Sequence, residues 1–307
     1  MPQTIVITEA NVVGTGNNTF EYNFPQSQTF KNAGIAVMSA AIYYSWYNIS
    51  TFLNNNSFQY TIPYFDSGLG ADTTITRTVV IPNGLYNIND INDLLQFDMI
   101  AANLYLVGTT SNMYFAEFII NPTAYAIQIN TYALPVALPA GFTYPAAGFN
   151  GVLTDTLPTV SADASITILA TNDFYKVIGF VPNGNTIAGG VVITSLPFTT
   201  PTVVIATQSF LSNTAPQVQP NPSLLMSITG IDNQFANPTS IIYAITPSVG
   251  IGQLIREQPP EFNYNRLLRG TYNKIRLQLL GSGTLQPVAI ADPNVVFVFV
   301  IKDEDSI

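Results

Sequence analysis

The chain has 307 residues, with 9 Lys+Arg against 18 Asp+Glu, no cysteine and no histidine. Those absences exclude a disulfide framework, a thiolate nucleophile, Cys-ligated zinc and the commonest general base and metal ligand, and the net charge of −9 disfavours sequence-independent wrapping of nucleic acid, which needs many cationic contacts to phosphate. Charged residues make up 9% of the chain against about a quarter of an average globular one, so its polarity rests on Asn and Thr, and a surface so poor in charge favours self-association.

Strand patterns begin at once. Thr4–Thr8, a turn at Gly14–Asn18 and the alternating Phe20–Phe24 read as a hairpin. A β-prone run from Phe30 to Ile49, the Asn54–Asn56 turn and alternating Phe58, Tyr60, Ile62 and Tyr64 read as a second one. After a turn at Gly68–Asp72, Ile75, Arg77, Val79 and Ile81 share one strand face, and Pro82-Asn83-Gly84 stops that strand. From Asn89 to about Ile100, Ile91, Leu94 and Leu95 recur at helical spacing opposite Asp90 and Asp93; Asn87 or Asn89 would cap this helix, with Asp at its positive end. Strands resume at Leu104–Val107, Met113–Ile120 and Ala124–Tyr132.

Ala133–Ala164 carries Pro135, Pro139, Pro145 and Pro158 with little periodicity, and reads as an insertion or long loop. A short helix near 171–178 ends at Gly179. Strands follow at Gly190–Leu196, Thr202–Ser209, Ser223–Ile231, Ser240–Thr246, Tyr272–Leu280 and Val295–Ile301. The last is apolar on both faces and belongs in the middle of a sheet, which calls for Greek-key connections. The expected class is all-β: a single jelly-roll sandwich of antiparallel sheets with one or two short helices and a Pro/Gly-rich insertion. Its expected division is 1–132, the first half of the roll with an N-terminal hairpin; 133–222, insertion and outer loops; and 223–307, the second half.

Met1–Ala10 has neither a basic start nor an apolar run, so no signal peptide is expected. The most apolar stretch, Ala33–Tyr47, is broken by Ser39 and Ser45 and falls short of the ~20 residues of a spanning helix. Sequons at Asn17, Asn48 and Asn55 are what an Asn-rich chain produces by chance.

Chemistry finds little purchase. The close carboxylate sets are Asp66/Asp72, Asp90/Asp93 and Asp303/Glu304/Asp305. The first flanks a Gly-rich turn without the alternating ligand pattern of a calcium loop, the second is explained by a helix start and the third by a solvated tail. Gly14-x-Gly16 and Gly281-x-Gly283 lack a nucleotide fingerprint's third glycine and are turns. Trp46, in the aromatic stripe Tyr43–Ile49, suits core packing better than stacking on sugars or bases, since no cation is interleaved with it. No catalytic residue, cofactor or metal site is expected. Arg256, Arg266, Arg269, Lys274 and Arg276 crowd into 21 residues and read either as solvated strand ends and loop surface or as a docking patch for an acidic neighbour, another subunit or packaged nucleic acid.

Several phrases in order carry a resemblance: Trp46-x-Asn48-Ile49, Asn55-Asn56-x-Phe58, Ile81-Pro82-x-Gly84-x-Tyr86 running into Ile91-Asn92, then Ile178-Gly179-Phe180, Ser240–Tyr243 to Pro247 with Gly250, and Gly270-x-Tyr272-Asn273-Lys274-Ile275 before a final strand. Together they resemble the jelly-roll capsid proteins of double-stranded DNA viruses with adenovirus-type capsids, most of all the penton proteins of virophages of the Sputnik and mavirus types, over about residues 30–301. The length fits one roll with an insertion. The resemblance implies a structural protein, five copies to an icosahedral vertex in the virion, assembled in the infected cell and contacting itself and the major capsid protein, with host surface or packaged DNA as further partners and 133–164 and 181–222 as outer decoration. Of its motif residues, Gly84 is expected to supply a special backbone angle, Pro82 to end a strand and Tyr86 to anchor the following helix. The alternatives are a β-sandwich module binding host glycans or a receptor through exposed Tyr and Trp46, and a two-carboxylate glycan-cleaving enzyme, for which no acid pair is suited.

Overall fold

The computed structural model describes residues 2–180, 191–194 and 207–303. Its strands are β1 (Gln3–Thr8), β2 (Thr19–Phe30), β3 (Ala33–Tyr43), β4 (Ser57–Asp66), β5 (Ala71–Val80), β6 (Val107–Gly108), β7 (Ala116–Asn121), β8 (Ala126–Leu134), β9 (Phe142–Thr143), β10 (Ala162–Asp163), β11 (Ser165–Ile168), β12 (Val191–Thr194), β13 (Thr207–Leu211), β14 (Leu224–Ile228), β15 (Ile241–Ile245), β16 (Leu254–Glu257), β17 (Asn265–Leu267), β18 (Gly270–Gly281) and β19 (Val295–Asp303). Two α-helices accompany them, α1 (Ile88–Ala101) and α2 (Phe174–Ile178). The fold is all-β and antiparallel, and the chain forms two compact units, one from Met1–Asn48 with Gln219–Ile307 and one from Ile49–Val218.

The first unit is a jelly roll. One sheet runs β1-β19-β3-β16, with β17 also on β3, and the other runs β15-β14-β18-β2. Leaving β17 aside, these are the first, eighth, third and sixth strands of the unit facing the fifth, fourth, seventh and second. Every connection crosses between sheets except the β14–β15 hairpin, which is the double Greek key of a jelly roll. β19 pairs on both sides, with β1 and β3, as its unbroken apolar run demands. Strand alternation turns Ile5, Ile7, Phe297, Phe299, Leu224, Met226, Ile275 and Leu277 inward to one core, and Phe20 meets Phe297 edge-on across it at 5.6 Å. Burying such a side chain contributes about 1.5–3 kcal/mol. In β3 the inward set shifts phase, from Ala33, Ile35 and Val37 to Ala40 and Ile42. A bulge at Met38 absorbs the extra residue, since β19 pairs Val298 with Ser39 but Phe299 with Val37.

The expected hairpins are corrected here. β1 and β2 lie in different sheets and pair with β19 and β18; the Glu9–Asn11 turn carries the chain across the sandwich, and the Gly14–Asn18 turn closes only a short reversal in which Val12 bridges Phe20. β3 and β4 are likewise unpaired with each other, and the local hairpin is β4–β5, around the 67–70 turn. β16 and β17 were not anticipated. Of the strands expected at Gly190–Leu196 and Thr202–Ser209, residues 190, 195, 196 and 202–206 lie outside the described residues.

The second unit carries the sheet β12-β11-β4-β5, the sheet β10-β8-β13 with β7 on β8, and the short β6-β9 pair. α1 starts where Asn87 closes a capping box: its side chain accepts from the Asp90 N–H at 3.0 Å, and Asp90 accepts from the Asn87 N–H at 2.8 Å. Ile88, Ile91, Leu95 and Met99 are its buried side. α2 ends at Gly179, whose φ of +75° suits glycine, and a Cβ there would strike the Thr214 carbonyl oxygen. Phe58, Phe118 and Phe174 cluster within 6.3 Å of one another in the core. The loop-rich character of 133–222 suggested an insertion starting there. The compact unit starts at Ile49, because β11 continues the ladder of β4 and β5, while Phe149 and Leu157 bind the 133–164 excursion to the same core.

Candidate functional site

The five basic residues gathered by the sequence do not form one patch. Arg256 on β16 and Arg266 on β17 pair beside Ala41 and Gly34 of β3, while their neighbours Ile255 and Leu267 are buried. Alternation therefore sets both arginines on the outer face of the β1-β19-β3 sheet. Lys274 and Arg276 flank the buried Ile275 on β18, which places them on the outer face of the opposite sheet. Arg269 lies between β17 and β18. All five are exposed, and only Lys274 among them has an ion pair among the described residues, to Glu21 at 2.9 Å.

The register spells out the outer face of the β1-β19-β3 sheet in cross-strand rows: Thr8, Val296, Ala41 and Arg256; Val6, Val298 and Ser39; Thr4, Val300 and Ala36; Lys302, Gly34 and Arg266. Residues in one row of an antiparallel sheet share a face, so valines and alanines fill its middle and cations stand at its ends. Val6 is 47% exposed, Val296 43% and Met38 42%. At the Arg266 end the face is partly covered, since Tyr264 approaches Gly34 so closely that a Cβ there would lie 3.0 Å from it.

Trp46 is fully buried in the roll's core. Its Nε1 donates to the Asn221 carbonyl at 3.0 Å, and Tyr44 packs beside it with ring centroids 4.4 Å apart. It offers no stacking surface, which removes the residue on which the glycan-binding alternative leaned. Pro82 follows the end of β5. Gly84 is corrected: its φ is not positive, and its small size serves a close approach instead, a Cβ there lying 2.8 Å from the Tyr86 ring. Gly84 also exchanges backbone hydrogen bonds with Ile49. Tyr86 packs at the edge of the second core beside the buried Ile88.

The acid sets are turn and cap residues. Asp66 accepts from the Gly68 and Leu69 N–H groups. Asp72 accepts from Thr159 N–H, Thr159 hydroxyl and Val160 N–H; burial raises its pKa, and these bonds outweigh that to hold the carboxyl below its ordinary value. Among the described residues no group of three or more metal-ligating side chains is close enough to hold an ion, and no helix is long and apolar enough to cross a membrane. Asn48 and Asn55 are buried, which closes those two sequons to modification in the folded chain. Glu304 and Asp305 lie outside the described residues.

One charged constellation escaped the sequence reading. Asp98 of α1 receives Arg77 Nε at 2.8 Å, a second Arg77 guanidinium nitrogen at 3.0 Å and the Tyr60 hydroxyl at 2.7 Å. Burial pushes Asp98 up, but the bonds from Arg77 and Tyr60 and the guanidinium charge outweigh it and hold the carboxyl low. Tyr60 is driven the other way, first by burial and then by Asp98. Arg77 sits on the face expected of it, and its partner lies 21 residues on, in the helix that follows β5, where no local pattern shows it. Its geometry is that of a clasp holding α1 to β4 and β5.

No protein-family model matches the sequence, and no curated protein matches it. Among solved structures, the chain is similar to the crystal structure of the mavirus penton protein, with 10% identity, 98% of each chain covered and a TM-score of 0.42.

Proposed function

We propose that the chain is a structural capsid protein of the virion that assembles in fives at a vertex and contacts the major capsid protein. The observation that carries this reading is the double-Greek-key roll, built from the two ends of the chain, that leaves one end of a largely uncharged sheet face, around Val6, Val296 and Met38, uncovered. An exposed apolar patch marks a surface made for association, and the resemblance of the ordered motifs to virophage pentons gives that association its context. Closed cyclic rings use one heterologous patch pair repeated around the axis. The exposed Arg266 and Arg269 supply directional contacts to the surrounding shell, and the 133–164 segment decorates its outside.

The test is the mass of the purified chain by light scattering on a sizing column, alone and with its major capsid partner. A fivefold species, or one that forms only with the partner, is expected. In particles, Arg266→Glu with Arg269→Glu should block incorporation while the thermal transition of the free protein stays in place. Normal incorporation would refute the role of these arginines, and a monomer indifferent to the partner would refute the capsid reading.

A further inference from the structure

The charge of the chain is unevenly divided. The roll carries seven cations against nine carboxylates, whereas the second unit carries two cations, Arg77 and Lys176, against nine carboxylates, and so holds −7 of the chain's −9. Both of its cations are already engaged, Arg77 with Asp98 and Lys176 with Asp173. On this unit Leu85, Tyr86, Asp90, Asp93, Leu94 and Phe97 line a shallow groove of about 530 Å³ along α1. Residues 90, 93, 94 and 97 follow the spacing of one helix face, and Phe97 at its end is 68% exposed. Asp93 has neither hydrogen bond nor ion pair among the described residues, and Asp90 is engaged only in the capping box.

The roll offers the complement. Arg256 stands in the same cross-strand row as Val296, next to the row of Val6 and Val298. It has no ion pair among the described residues, and the most exposed apolar side chains of that face, Val6, Val296 and Met38, lie toward its end of the sheet. Arg266 is seven residues away along β3, a distance of roughly 23 Å at strand rise, too far to share a counter-charge with Arg256. Asp90 and Asp93 are one helical turn apart.

We propose that the Arg256 end of this sheet face docks on the α1 groove of a second copy of the chain, with Phe97 and Leu94 against Val6, Val296 and Met38, and Arg256 facing Asp90 and Asp93. The proposal rests on the self-association proposed above and names the two surfaces that perform it. The second copy is the occupant because the groove's uncompensated carboxylates and apolar floor meet their counterparts on this same chain, and because second units at −7 each repel one another unless a cation intervenes. The contact is heterologous, as ring closure requires.

The test is light scattering across a concentration series on the full chain, with circular dichroism confirming the fold of each variant. Arg256→Glu and Asp93→Arg are each expected to weaken association at least about tenfold. Mixing the two variants restores association between unlike copies, one contact being the original Arg256–Asp93 pair and the other its charge-swapped counterpart; because a ring of five cannot alternate two variants, the readout is the mixed dimer and not the fivefold species. Val6→Thr with Val296→Thr keeps strand-forming residues and is expected to weaken association as well. Lys31→Glu, at an exposed cation beyond the Ala33 end of β3, serves as the distant control and leaves self-association unchanged. Wild-type association in either charge variant, equal weakening by Arg256→Glu and Lys31→Glu, or a mixture in which unlike variants do not associate would overturn this contact while leaving self-association standing. A wild-type chain that remains a single copy at every concentration, alone and with its major capsid partner, would overturn the self-association reading itself, and this contact with it.

Discussion

Replacing Asp98 by alanine should destabilise the second unit by about 2–4 kcal/mol, a figure built from two terms. The first is the Tyr60 hydroxyl, which belongs to a fully buried residue and donates to Asp98 at 2.7 Å; stranding such a group costs about 1–3 kcal/mol. The second is the Arg77 pair, whose side chains are 35% and 22% exposed. Solvent screening at that exposure limits it to about 1 kcal/mol. For a unit of this size the sum is a drop of roughly 5–15 °C in melting temperature. Tyr60→Phe removes the stranded hydroxyl, so the double variant should lose less than the two single losses added together, by about 1–2 kcal/mol. Asp98→Asn, whose one amide oxygen still accepts from the Tyr60 hydroxyl and Arg77 Nε while its NH2 loses the bond from the second guanidinium nitrogen, should cost less than alanine. Because Asp98's pKa is held low, its contribution is fully present above the ordinary carboxylate value near pH 4 and disappears as pH falls through the depressed value, so the gap between wild type and Asp98→Ala narrows below about pH 4. Urea unfolding followed by circular dichroism measures all of these. A loss under 1 kcal/mol for Asp98→Ala, or strict additivity with Tyr60→Phe, would refute the clasp.

Two further outcomes follow from the geometry. Asn87→Ala removes the acceptor for the Asp90 N–H and should cost about 0.5–2 kcal/mol, with Asn87→Ser recovering most of it in the same unfolding assay. Trp46 is the only tryptophan of the chain and is fully buried in the roll, so its emission should be blue-shifted and resist iodide quenching until the roll unfolds, and added oligosaccharides should leave it unchanged.

What was legible in the sequence was what local pattern encodes. Alternation marked β4 and β5, an unbroken apolar run marked β19, the period of Ile91, Leu94 and Leu95 marked α1, and Gly179 marked the end of α2. The partners of the strands were not legible, because a jelly roll pairs residues from opposite ends of the chain. A turn signature such as Gly14–Asn18 says that the chain reverses, without saying whether it returns in the same sheet or crosses to the other. The basic cluster failed as a single patch for a related reason: 21 residues here span β16, β17 and β18, so nearness in sequence put Arg256 and Arg276 on opposite faces of a sandwich. The α1 groove was half visible. Asp90 and Asp93 were recognised as residues of a helix start, but Phe97 beside them gains meaning only when Leu85 and Tyr86 fold back to form the other wall.

The pairing of Gln3 with Ile301 has a consequence for synthesis. β1 awaits β19 and β3 awaits β16, β17 and β19, all made more than 200 residues later, whereas the described strands between Ile49 and Val218 pair only among themselves. The middle of the chain can therefore fold while its beginning waits, and the stretch that closes the roll takes on the order of ten seconds to be made. Through that interval the apolar strands at the start of the chain have neither partner nor cover. No roll, and so no sheet face on which a neighbour could settle, exists until β19 has been made, so association through that face follows its synthesis.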